Sequence, residues 1–195
     1  MTPAPGPVGG IVLTGGGAAR LGGAEKAGVE VGGRTLLEHA LEALADIAEV
    51  VVVGPEVATT RPVTFRREDP PGGGPAAAVL AGLTGFVRRP RLVVVLAVDM
   101  PLVTAGTVAR LLRAVTGDGA ILLDPSGQQQ YLCAAYSVDA LERHRPTEEG
   151  AAEHGLPMRR LVAGLELVGV PAAGREAEDV DTWADLRRLR EAEGR

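Results

Sequence analysis

Gly9 to Lys26, read GGIVLTGGGAARLGGAEK, constrains this chain more than any other stretch. Ile11 to Thr14 reads as a strand, because strands buried on both faces of an α/β sheet are continuous apolar runs. The run feeds a glycine-rich loop. Gly15, Gly16 and Gly17 carry no Cβ, so their backbone N–H groups can approach a ligand closely and wrap an anion. Arg20 adds a planar fork for phosphate oxygens and Lys26 a mobile point charge. Lys26 is the sole lysine in a chain with 20 lysines and arginines together, so arginine is used wherever either would serve. A nucleoside triphosphate site fits this loop; a solvated loop lysine is the alternative reading.

The standard phosphate motifs do not fit. A Walker loop needs Gly-Lys followed by Ser or Thr, and the chain has no Gly-Lys pair. The dinucleotide fingerprint needs Gly-x-Gly-x-x-Gly. Counted from Gly15 its last position is Arg20, and counted from Gly17 its middle glycine is Ala19. A P-loop kinase and a simple dinucleotide-binding dehydrogenase are both disfavoured.

Helical and strand periods alternate along the rest of the chain. Thr35 precedes Leu36, Leu37, Leu41 and Leu44 at helical spacing, and with Glu38 it forms a candidate capping box; the helix is expected over 36–45. Val29, Val31 and Gly32-Gly33 suggest a short hairpin. Strands are expected at 50–53, 63–65, 92–98, 120–123, 131–136 and 167–170. Further helices are expected at 76–84, 105–115, 138–145, 158–165 and 183–192. Pro75 opens the second helix as a favoured first-turn residue. Strands alternating with helices argue for an α/β fold whose mostly parallel sheet is covered on both faces. With 195 residues, no repeat and no linker, one domain over 1–195 is expected, with 1–7 as a loose tail.

Composition excludes several functions. The net charge of −5 and the scattered arginines argue against nucleic-acid binding. No apolar run reaches the roughly 18 residues of a membrane span. Met1 to Pro7 does not resemble a signal peptide, so a cytoplasmic protein is expected. The single Cys133 rules out an internal disulfide or a Cys-rich zinc site and reads as a core residue. His39, His144 and His154 form no spaced metal pair, and Ser126 and Ser137 lack a nucleophile-elbow setting. Chemistry that needs no protein nucleophile is favoured, and phosphoryl-type transfer can rest on positioning and electrostatics.

Ligands of open α/β sheets sit at the carboxyl ends of the strands. The first loop, the Gly72–Pro75 loop and Asp99, which closes the most apolar run, could all open on one crevice. A carboxylate at that strand end is costly unless paired or bound to a metal. Facing triphosphate oxygens it suits Mg²⁺, which takes one or two carboxylates plus phosphates and water. A turn cap beside Pro101 is the alternative for Asp99. Asp181 is a second candidate ligand, or the start of the last helix with Thr182.

These residues resemble a known family. Leu13-Thr14-Gly15-Gly16-Gly17, Arg20-Leu21-Gly22-Gly23 and Glu25-Lys26 are similar to the opening signature of nucleotidyltransferases that make molybdenum cofactor dinucleotides, the guanylyltransferases among them. Glu68-Asp69, Gly74-Pro75, Ala97-Val98-Asp99-Met100-Pro101 and Asp179-Val180-Asp181-Thr182 extend the resemblance. Gln130-Tyr131-Leu132 and Met158-Arg159-Arg160-Leu161 fit its acceptor half. Departures are Leu21 for the usual Met, Glu25 for Asp, Thr14 for Ala, Ala76 for a larger apolar residue and Asp181 for Asn.

The resemblance implies a three-layer Rossmann-like nucleotidyltransferase fold. It implies transfer of GMP from GTP to Mo-molybdopterin, with pyrophosphate leaving and Mg²⁺ as cofactor. Leu13, Thr14, Gly15 and Gly16 would contact the nucleotide. Arg20 and Lys26 would neutralise phosphate charge. Asp69 would contact guanosine, Gly74 would line the base pocket, and Asp99, with Asp181 as the second candidate, would hold the metal. Molybdopterin-delivering or molybdoenzyme maturation proteins are the implied partners. A transferase using CTP or a sugar or polyol phosphate is the nearest alternative. A non-catalytic nucleotide-binding module is a more distant one, against which Arg20, Lys26 and Asp99 together argue.

Overall fold

The computed structural model describes residues 7–15, 26–146 and 155–193, the last four as backbone only. Nine strands and six α-helices are described, with a 3-10 turn at Lys26–Gly28. Seven strands form one sheet: β1 (Val8–Leu13), β4 (Glu49–Val53), β5 (Thr64–Arg66), β6 (Leu92–Ala97), β7 (Gly119–Leu123), β8 (Gln129–Ser137) and β9 (Leu167–Pro171). Their order across the sheet is β5-β4-β1-β6-β8-β7-β9. β2 (Glu30–Val31) and β3 (Arg34–Thr35) make the expected hairpin apart from it.

The sheet is parallel except at β8, which runs antiparallel to both β6 and β7. β6 lies inside the sheet, and all of its side chains, Leu-Val-Val-Val-Leu-Ala, are buried. Successive side chains of a strand point to opposite faces. Val12, Val52, Val94 and Leu96 accordingly enter one core with α1 (Leu36–Ala43), α3 (Ala105–Ala114) and the last helix, α6 (Trp183–Glu193). Ile11, Val51, Val53, Val93 and Val95 enter the other, with α2 (Pro75–Leu83), α4 (Val138–Arg143) and α5 (Met158–Leu161). Each large side chain so buried contributes about 1.5–3 kcal/mol, and the result is three layers.

Local chemistry sets the helix ends. The Thr35 hydroxyl accepts from the Glu38 N–H at 3.1 Å, but the Glu38 carboxylate leaves the box to accept from the Thr60 N–H at 2.9 Å. A complete capping box instead opens α3, where Thr104 and Thr107 bond each other's backbone N–H. The helix expected over 158–165 is a single turn, Met158–Leu161, after which the Ala163 N–H donates to Arg160 O and the Leu165 N–H to Val162 O in tight turns. Among the described residues no helix is long and apolar enough to cross a membrane.

Candidate active site

β1 and β6 are parallel neighbours with Leu13 opposite Ala97, and the Val98 N–H donates to Leu13 O at 3.1 Å. Gly15 and Asp99 therefore leave the sheet side by side at its carboxyl edge. The loop before α6 joins them there, because the Val180 N–H donates to Asp99 O at 2.7 Å. That bond sets Asp181, next in sequence, beside Asp99.

Lys26 ties the two carboxylates together. Its Nζ lies 2.7 Å from Asp181 Oδ1 and 3.1 Å from Asp99 Oδ2, while only 6% of its side chain meets solvent. Burial alone would lower its pKa, but the hydrogen bond to Asp181 and the charge of Asp99 outweigh that and hold it above the usual 10.5. One ammonium thus faces two carboxylates. Asp179 adds a third negative group nearby: desolvation first, then the charges of Asp181 and Asp99, push its carboxyl above the usual range.

A cleft of about 510 Å³ opens beside this cluster. Leu13, Gly15, Ala97 and Asp99 line it from the strand ends, and Gly72, Gly74 and Pro75 from the second glycine-rich loop. Gly74 holds φ at +87°, a backbone that glycine adopts without strain, and no side chain caps α2. Pro75 has no N–H, so the free donors of the first turn are those of Ala76 and Ala77, at a helix end whose dipole favours negative charge.

Of the residues singled out in the sequence, Leu13, Gly15, Gly74 and Asp99 line the cleft, and Lys26 and Asp181 meet Asp99 at its edge. Thr14 is buried, and both its hydroxyl, at 3.2 Å, and its backbone N–H, at 3.1 Å, donate to Val53 O, which leaves its carbonyl for a ligand. Asp69 faces elsewhere. It lines a smaller depression of about 210 Å³ with Arg67, Pro70 and Arg145, whereas its neighbour Glu68 lines both depression and cleft. Leu132 reaches the cleft, while Tyr131, Arg159 and Arg160 share a further depression of about 470 Å³. Arg20 and Gly16 lie outside the described residues.

Two contributors are not set apart by the sequence. Glu68 was inseparable from Asp69 until the loop's path was known. Gly54 makes room for Thr14, since a methyl group there would overlap the Thr14 hydroxyl. Only the strand register of β1 against β4 brings them together.

A divalent metal fits this donor set. Asp99 and Asp181 already converge on one cation, the Lys26 ammonium, and their side chains stay 28% and 40% exposed, which leaves room for phosphate and water ligands. Among the described residues no group of three or more His, Cys, Asp or Glu could hold a metal unaided. A substrate-completed shell is what two carboxylates at a strand edge can offer.

The description "MobA-like NTP transferase domain" matches residues 10–167, from β1 through the start of β9. The chain belongs to the MobA-like NTP transferase family. It is accordingly a nucleotidyltransferase. It is 35% identical over 188 residues to a probable molybdenum cofactor guanylyltransferase of Mycobacterium tuberculosis H37Rv, covering 92% of each chain. A Pseudomonas putida molybdenum cofactor guanylyltransferase is 33% identical over 167 residues, 80% of this chain and 85% of that one. The fold matches the crystal structure of molybdopterin-guanine dinucleotide biosynthesis protein A from Archaeoglobus fulgidus, with a TM-score of 0.72, 24% identity, and 95% and 98% of the two chains covered.

Proposed function

We propose that this enzyme transfers GMP from GTP to Mo-molybdopterin, forming molybdopterin guanine dinucleotide and releasing pyrophosphate. A phosphate oxygen of the acceptor forms a bond to the α-phosphorus of GTP, and the α–β bridging P–O bond breaks. The observation that carries the reading is the convergence of Asp99, Asp181 and Lys26 at the mouth of a glycine-lined cleft. The relatives' activity supports the choice of substrates.

Asp99 and Asp181 would hold Mg²⁺, which when bound neutralises charge on the phosphate oxygens and so lowers the barrier. Lys26 turns from the carboxylates to the triphosphate, where with Arg20 it offsets charge on the leaving pyrophosphate. The backbone of Leu13, Thr14, Gly15 and Gly16 cradles the nucleotide, and Gly74 lines the base pocket. Glu68 lines the same cleft, and a carboxylate accepts well from the adjacent N1–H and N2–H₂ donors of guanine. Asp69, in the neighbouring depression, acts on the nucleoside by holding that loop. Tyr131, Arg159 and Arg160 border a depression suited to an anionic acceptor. One domain spanning 1–195 performs the whole reaction on small-molecule substrates of the cytoplasm.

The test is pyrophosphate release with Mo-molybdopterin and Mg²⁺, with GTP, CTP, ATP and UTP in parallel. Release with GTP alone is expected. Release with CTP alone would keep the mechanism and change the product. Nucleotide binding with no release from any of the four would overturn the reading.

A further inference from the structure

Asp181 sits at the end of a segment, 172–182, that contains no regular structure before α6 begins. Two backbone bonds tether it. At its start the Ala172 N–H donates to Leu123 O at 2.8 Å, and near its end the Val180 N–H donates to Asp99 O at 2.7 Å. Between these tethers Ala173, Gly174, Arg175, Glu178 and Asp179 are exposed. Such a loop would wander, and a metal ligand at its end would wander with it.

Besides Val180, fully buried at the second tether, the exception is Glu176. It is 9% exposed and turns its carboxylate inward against α3. Oε1 accepts from the hydroxyl of fully buried Thr107 at 2.8 Å and from Arg110 at 3.0 Å. Oε2 accepts from the second Arg110 nitrogen and, at 2.9 Å, from the Ala173 N–H of its own loop. Thr107 belongs to the capping box that opens α3, and α3 follows directly from the Asp99 turn. One buried carboxylate therefore joins the loop bearing Asp181 to the element that follows Asp99. Acidic side chains are rarely so buried unless they are paired and fully hydrogen-bonded, as this one is.

We propose that Glu176 is a positioning residue for the metal site: by locking the 172–182 loop to α3 it fixes Asp181 at the distance from Asp99 that a shared cation requires. The inference rests on the reading of Asp99 and Asp181 as metal ligands. It assigns Glu176 no contact with substrate or metal. Partners behind a metal ligand commonly set affinity by holding the ligand's orientation.

Trp183 makes the proposal measurable. It is the only tryptophan of the chain, is 48% exposed, and begins α6 beside Asp181. Paramagnetic Mn²⁺ at the site should quench its fluorescence. Titration of the full chain with Mn²⁺, in the presence of a non-hydrolysable GTP analogue, is compared for wild type, Glu176→Gln, Glu176→Ala, Asp181→Asn and the Glu176→Ala/Asp181→Asn double variant. Glu176→Ala is expected to weaken Mn²⁺ binding by about tenfold. Glu176→Gln, which keeps the shape and part of the bonding, should fall between it and wild type. Once Asp181 is gone, loss of Glu176 should cost nothing more, because both changes remove the same ligand. Unchanged Mn²⁺ affinity in a folded Glu176→Ala protein, even with a lowered melting temperature, would overturn the proposal. So would additive losses in the double variant. Failure of the metal reading itself would appear separately, as wild type without quenching or Asp181→Asn indistinguishable from wild type.

Discussion

Replacing Lys26 with Met keeps the aliphatic stem and deletes the ammonium, leaving Asp99 and Asp181 facing each other without their counter-ion. Breaking a fully buried ion pair by removing one partner costs about 3–5 kcal/mol. Here the lysine is 6% exposed but the carboxylates are 28% and 40% exposed, so water screens the charges left behind. That reduces the cost to about 2 kcal/mol. For a chain of this size such a loss lowers the melting temperature by about 4–8 °C. On the proposed metal role, the same carboxylates, freed from the ammonium, should form a better cation site than in wild type. Mg²⁺ stabilises wild type as well, so at saturation the gap narrows by the ratio of the two affinities: a variant that binds tenfold tighter recovers about 1.4 kcal/mol. Thermal unfolding in EDTA and in saturating Mg²⁺ reads both effects. Lys26→Met should melt below wild type in EDTA, and Mg²⁺ should narrow the difference. Equal melting temperatures in EDTA, or a gap that Mg²⁺ leaves untouched, would refute the view of Lys26 as the cation between two metal-binding carboxylates.

Three other perturbations separate neighbouring roles. Glu68→Gln should raise the KM for GTP by about tenfold and erode preference over ATP, since a hydrogen bond to a charged group is worth about 1.5–3 kcal/mol; Asp69→Asn should change it less, and steady-state kinetics with both nucleotides distinguishes them. Burial pushes the Glu176 carboxyl up, but Arg110, the Ala173 N–H and Thr107 together hold it below its usual 4.5. Its stabilisation is therefore complete above the unfolded-state value and lost as pH falls through the folded-state one: denaturant titrations should find wild type about 2 kcal/mol more stable than Glu176→Gln at neutral pH, the gap narrowing as pH falls below the usual glutamate value. Cys133 is fully buried and its thiol is pushed up to about 12, so an aromatic disulfide reagent should leave it unmodified in the native protein and label one equivalent after denaturation.

The layers were legible because burial writes itself into hydrophobic pattern. The strand expected over 92–98 is β6, buried throughout, and the helix expected over 105–115 is α3. Local signals failed where a distant partner intervened. Glu38 had the spacing of a capping box, yet Thr60 claims its carboxylate. The 158–165 pattern was helical, yet the helix is the single turn Met158–Leu161 and tight turns follow it. The antiparallel insertion of β8 left no trace, because an inner strand is equally apolar in either direction.

The site was legible by type more than by geometry. Strand-end logic placed Gly15 and Asp99 on one edge, where the structure has them. Spacing could not reveal that Lys26 spans Asp99 and Asp181, residues far apart in sequence, because a single backbone bond from Val180 to Asp99 O brings them together. Nor could it tell which carboxylate of the Glu68-Asp69 pair meets the cleft, since that depends on the direction of an irregular loop.

The central claim is that a metal-binding carboxylate at the end of β6 drives nucleotidyl transfer. Pyrophosphate release from GTP, with Mo-molybdopterin and Mg²⁺, by wild type and Asp99→Asn tests it most directly. The variant keeps the side chain's shape at a partly exposed strand end, so it should fold and melt near wild type. Its turnover should fall by about a hundredfold or more, the scale of losing one preorganised transition-state contact. Turnover near that of wild type in a folded Asp99→Asn enzyme would contradict the account.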